Sequence, residues 1–194
     1  MITIEQAVGW SALVAAVATL VGAATLALFF QRGEPWGTRN DIASIVLMVA
    51  TIPVALIVAA IERERLSTTA DVVAAVGIVG MLAAAGLQLA LVVRLRTYER
   101  LLGRTLAAAA VVGVWYMAAG VLGLDGGLDQ PLPALSIGAG LGFIAVGVGF
   151  AAGAQAHPLA IGGGVLVLVA STAFLAVLGL RLVSGALVVP TWNA

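Results

Sequence analysis

The chain has 194 residues, 62% of them hydrophobic and only 9% charged, and its mean hydropathy is +1.17. Soluble domains carry charge on about 25% of their residues, so a soluble fold of this composition could not cover its surface, and a net charge of zero leaves no basic face for nucleic acid. The sequence has no cysteine and no lysine and a single histidine, which excludes disulfides, thiolate-bound metals, lysine Schiff bases, Walker loops and bis-histidine haem; no cofactor and no metal is expected.

A transmembrane helix needs about 20 mostly apolar residues, and six runs meet that length: 8–30, 42–61, 72–93, 106–124, 134–154 and 159–180. The connections between them are short, so sequential neighbours run antiparallel. The expected fold is all-α: a polytopic membrane protein of one domain over 1–194, with six helices in an antiparallel bundle and a three-plus-three layout open to an inverted repeat.

Taken in order, the first run ends in the loop 31–41, which joins Arg32, Glu34, Trp36 and Arg39 around a turn of Gly33, Pro35 and Gly37. Trp36 is an interfacial aromatic, and the loop is a candidate gate or docking surface. Thr38-x-x-Asp41 and Thr68-x-x-Asp71 are expected to cap the second and third runs, because each resembles a capping box with Asp in place of Glu. From Asp41 a stripe at helical spacing passes Ser44, Met48 and Thr51 to Pro53. Pro53 should kink the helix, and Thr51 could serve the carbonyl that proline frees. Gln88 adds an uncharged polar group near the end of the third run.

The stretch 94–104 holds Arg94, Arg96, Arg100 and Arg104 near the midpoint of the chain. An arginine at mid-bilayer costs roughly 2.5–3.5 kcal/mol, so this stretch flanks the membrane. In the fourth run Trp115 and Tyr116 lie far from either interface, which points them at protein or at a cavity. Asp41, Ser44, Thr51, Gln88, Trp115 and Tyr116 are therefore the candidate lining of a pathway.

The acidic turn containing Asp125 and Asp129 lacks the ligand order of a calcium loop. Pro131 and Pro133 open the fifth run and Pro158 the sixth, where a missing N–H costs nothing. The fifth run carries Gly138, Gly140, Gly142, Gly147, Gly149 and Gly153, and small residues let helices approach closely in lipid; the expected partner is the sixth helix. Arg181 at the end of the sixth run should snorkel to the interface or pair with Asp71, Asp125 or Asp129.

Alternation of the runs sorts the charges into two faces. One holds Arg32, Arg39 and the four arginines of 94–104 with Glu34, Asp41, Glu99 and His157; the other holds Arg63, Arg65 and Arg181 with Glu5, Glu62, Glu64, Asp71, Asp125 and Asp129. The positive-inside rule puts the first face in the cytoplasm and both termini outside. Arginine used without lysine in an Ala/Gly/Val-rich chain points to a GC-rich bacterial genome, and so to a bacterial inner membrane.

No nucleophile–base pair is expected. Ser136 and His157 would sit about 30 Å apart at opposite ends of one helix, beyond the reach a Ser–His dyad needs. The leading expectation is a small-solute channel or transporter. The alternative is a non-transporting structural, lipid-binding or partner-binding membrane subunit. The expected partners are the lipid bilayer and either a second copy or another membrane protein.

Overall fold

The computed structural model describes residues 2–153, 157–187 and 189, with no account of the side chains of Tyr98, Glu99 and Gly126. No strand occurs among the described residues. The helices are α1 (Ile4–Arg32), α2 (Trp36–Val92), α3 (Tyr98–Leu122), α4 (Leu132–Gly153), α5 (Pro158–Leu166) and α6 (Thr172–Ser184). A π-helical turn, Gly123–Gly127, follows α3, and another, Val167–Ser171, joins α5 to α6 into one continuous rod. Among the described residues, five helical rods are long and apolar enough to cross a membrane.

Local chemistry sets most of the ends. Thr3 caps α1 in a reciprocal capping box: its hydroxyl accepts from the Gln6 amide and its own amide donates to Gln6 Oε1, both at 3.2 Å. Gly33, at φ 71°, ends α1 in a backbone conformation that favours glycine. His157 caps α5 by accepting from the Leu159 amide at 3.2 Å, with Pro158 as the first helical residue. Ala154, the expected end of the fifth run, lies outside the described residues.

Two expected caps are absent. Helix α2 starts at Trp36, ahead of Thr38, and the Glu34 carboxylate accepts from both the amide and the hydroxyl of Thr38, at 3.3 and 3.1 Å. A carboxylate at the positive end of a helix outcompetes a hydroxyl for free amides. Thr68 likewise opens no helix, and Asp71 takes the Arg63 guanidinium at 2.5 Å instead.

The 57-residue α2 absorbs both the second and third runs. A straight helix of that length would measure about 85 Å. Its one non-helical residue is Leu66, at φ −138° and ψ 60°, and there the chain turns back. Ala59, Ala70 and Ala74 share one buried cluster, whereas Ala59 and Ala74 on a straight rod would stand about 22 Å apart. The first arm (36–65) and second arm (67–92) thus lie side by side. Without glycine or proline near the turn, helical hydrogen bonding runs up to Leu66 from both sides. Pro53, expected to kink the second run, sits within helical backbone. The Thr51 hydroxyl donates to the Leu47 carbonyl at 2.7 Å rather than to that of Val49, the group four residues before the proline.

The first arm is the most enclosed element. Between residues 47 and 62 only Val49 and Leu56 are exposed, seven residues apart on one stripe. Helix α1 packs against α2 and α6, α3 against α2 and α4, and α4 against α5. Ser11 fixes α1 to the first arm by donating to the Ala50 carbonyl at 2.9 Å. The glycines of α4 divide between two neighbours. A Cβ on Gly142 would come within 2.7 Å of the Val167 amide, but one on Gly140 would meet Gly113 and Met117 of α3 at 2.5–2.6 Å. The α4 stripe expected to serve the sixth helix alone therefore serves α3 as well.

Candidate functional site

Within one half of the bundle the helices leave a cavity of about 240 Å³. Its walls come from α1 (Thr19, Leu26), the first arm (Asn40, Ser44, Met48), the second arm (Ala84, Gln88), α3 (Thr105, Ala109), α4 (Phe143, Val146) and the α5 rod (Gly164, Val167). Leu26, Asn40, Gln88 and Thr105 all sit within about two turns of helix ends at the arginine-bearing connections. Met48, Phe143 and Val167 reach deeper. Most of the lining is apolar, and among the described residues it holds no charged side chain or histidine.

Two polar atoms on this wall stand out. Gln88 Oε1 and Thr105 Oγ1 are buried from solvent, and neither makes a hydrogen bond among the described residues. A helical threonine ordinarily returns its hydroxyl to the carbonyl four residues back. Thr19, Thr25 and Thr51 do so, to Ala15, Val21 and Leu47 at 3.0, 2.8 and 2.7 Å. Thr105 makes no such bond among the described residues, and neither does Thr172, which lies away from the cavity.

The deep end is closed by an aromatic cluster. The Phe143 ring, part of the cavity wall, stacks on Tyr116 at 5.8 Å and 12°. Phe174 meets Tyr116 edge-on at 5.7 Å, and Trp115 packs against it at 4.5 Å. The Tyr116 hydroxyl and Ser171 Oγ lie 3.4 Å apart, with Thr51 beside the same hydroxyl. Ser136 Oγ donates to the Tyr116 carbonyl at 2.6 Å. Tyr116, Ser136, Ser171 and Thr51 are each 2% exposed or less. The π-helical turn Val167–Ser171 serves both regions, putting Val167 on the cavity and Ser171 on the tyrosine.

Of the sequence-derived pathway candidates, Ser44 and Gln88 line the cavity. Thr51 and Tyr116 belong to the closure beneath it, and Trp115 packs across Gly77 of the second arm. Asp41 stands outside the lining, although its neighbours Asn40 and Ser44 are within it. Of the expected loop residues, Glu34 accepts from Thr38 in the first turn of α2 and the Arg39 guanidinium lies 4.4 Å over the Trp36 ring, while Arg32 is exposed.

On the opposite face one member of the expected set, Asp129, lies within ion-pair distance of Arg181. Arg181 donates to the Gln130 carbonyl at 2.9 Å and reaches Asp129 only at 3.9 Å, an ionic distance too long for a hydrogen bond. Asp71 pairs with Arg63, and the Asp125 backbone carbonyl takes Arg65. Sequence reasoning passed over Thr105 and Asn40, whose signal was their placement within about two turns of a helix end. It also counted Glu62 as a surface charge. Glu62 is 4% exposed beneath Gly127, and its Oε1 makes no hydrogen bond among the described residues.

Comparison with known protein families, with curated proteins and with solved structures gives no match to this chain.

Proposed function

We propose that this chain crosses a bacterial inner membrane six times, with the arms of α2 as separate spans, and passes a small solute through the bundle as a channel or transporter. The observation that carries this reading is the cavity bounded on its deep side by Tyr116. In that orientation the face bearing 94–104 is cytoplasmic and both termini are outside. The two groups of three spans then run in opposite senses, the layout of an inverted repeat. The cavity is the inward-facing half of the path, and the Tyr116–Phe143–Phe174 cluster is its gate.

The test uses the chain's lack of cysteine. Ala109→Cys places one thiol on the cavity wall, where a methanethiosulfonate reagent blocks it and a reductant restores it. Proteoliposomes are assayed by light scattering or tracer uptake with glycerol, acetamide, acetate and methylammonium. Flux of at least one probe should exceed that of empty liposomes, fall on capping and return on reduction. Flux equal to that of empty liposomes for every probe, or unchanged by capping, overturns the proposal.

A second reading, a lipid-binding subunit without transport, draws on a different feature. An apolar groove of about 740 Å³ runs along α1 and the first arm from Trp10 to the Trp36–Arg39 stack. It suits an acyl chain whose headgroup meets the arginine. Co-purified lipid lost on Arg39→Ala, with no solute flux, would favour it.

A further inference from the structure

We infer that the cavity binds an uncharged polar solute, one with both a hydrogen-bond donor and an acceptor, held between Gln88 on the second arm and Thr105 on α3. Carboxamides and small polyols have this chemistry. The inference rests on the cavity being a solute site, as proposed above, and it names what that site selects.

Three observations carry it. First, Gln88 Oε1 and Thr105 Oγ1 are buried at the cavity without partners among the described residues. A buried polar atom left unpaired is destabilising, so a ligand that pairs both atoms gains more than its own contacts. Reversing the Gln88 amide would present its N–H₂ in place of the oxygen. A solute with both donor and acceptor satisfies either arrangement. Second, the lining carries no charge among the described residues. An ion entering it would lose hydration with no counter-charge in return. The arginines at the neighbouring helix ends stay outside the wall. Third, the volume fits. An apolar cavity of about 150 Å³ accepts benzene, so 240 Å³ takes a somewhat larger molecule with room for its polar groups.

The remaining wall, of alanine, leucine, methionine, valine and Phe143, contacts the carbon skeleton. Two polar anchors on an apolar surface discriminate by hydrogen bonding, because an analogue that lacks the polar group leaves the anchors unpaired.

The experiment reads binding apart from transport. The full-length Ala109→Cys protein is purified in detergent, and the rate of thiol modification is followed with each probe present. Ala109 lies one turn from Thr105 on the same helix face, so a bound solute shields it. Acetamide and glycerol should slow modification, whereas acetate, methylammonium and benzene should not. Adding Thr105→Val or Gln88→Leu should weaken protection by acetamide roughly two- to tenfold, the worth of one hydrogen bond. Protection by benzene equal to that by acetamide, protection by acetate, or protection by no probe overturns the inference. So does undiminished protection in both variants. The probe panel on the single-cysteine protein decides the matter even if a variant fails to fold. Protection by acetamide without flux would refute the transport reading and leave this inference standing. Flux of an ion without protection by a neutral probe would do the reverse.

Discussion

Arg181 illustrates how a charged residue in the last turn of a long apolar helix is held. Its side chain is 28% exposed and that of Asp129 is 77% exposed, so their 3.9 Å ion pair is solvent-screened and contributes little. The stronger contact is the donation to the Gln130 carbonyl, a charged hydrogen bond that ties α6 to the loop before α4. Arg181→Leu should therefore cost about 1 kcal/mol, lowering the melting temperature by about 2–4 °C. Asp129→Asn should change it by less than about 1 °C. Thermal unfolding of the two variants in detergent compares them directly, and an equal loss in both would mean that the ion pair matters more than the carbonyl. The sequence marked Arg181 as a boundary residue with an acid nearby. Asp129 is that acid, but the hydrogen bond goes to a backbone carbonyl, and backbone partners leave no signature in residue identity. Thr105 was overlooked for a similar reason, since whether a hydroxyl bonds its own helix or a cavity depends on neighbours distant in the chain.

Among the elements, the α4–α5 contact depends on absent side chains. Gly142 faces the Val167 amide and the Gly163 carbonyl, and Gly163 in turn faces Val146 and Gly142. Backbones this close exchange dispersion contacts that larger residues would prevent. Gly142→Leu should disrupt the pair, because a side chain there meets backbone that cannot move aside, and overpacking costs about 1–3 kcal/mol or more. Gly162→Leu is the control, since nothing lies within 4 Å of a Cβ at that position. Size-exclusion profiles and melting temperatures should separate the two variants, and equal behaviour would show that the contact does not support the fold. Glycine spacing made close packing on α4 legible in advance, but not the division of those glycines between α3 and α5. The π-helical turn was not legible at all. One extra residue in a turn is invisible to hydropathy, and here it points Val167 and Ser171 at two different structures.

For the whole molecule, charge distribution predicts orientation. Single cysteines replacing Thr97 and Asp125, both at exposed positions, should report opposite sides. An impermeant maleimide on intact cells should label position 125 and not 97; the opposite pattern would invert the proposed topology. Apolar run length and charge clusters specified from sequence alone an all-helical chain with helices long enough to cross a membrane, because burial in hydrocarbon is a property of each segment by itself. The same reasoning located the reversal near 62–71, where four consecutive charges interrupt the apolar pattern. Ser44 and Gln88, visible in the sequence as polar breaks in apolar runs, both line the cavity. What only the tertiary structure decided is which helices meet. It set the first arm of α2 at the centre, closed one end of the cavity with Tyr116 against Phe143 and Phe174, and brought Gln88 and Thr105 to one wall from separate helices. Those outcomes depend on shape complementarity between helix faces whose apolar residues are interchangeable by composition, and that complementarity exists only once the helices are packed.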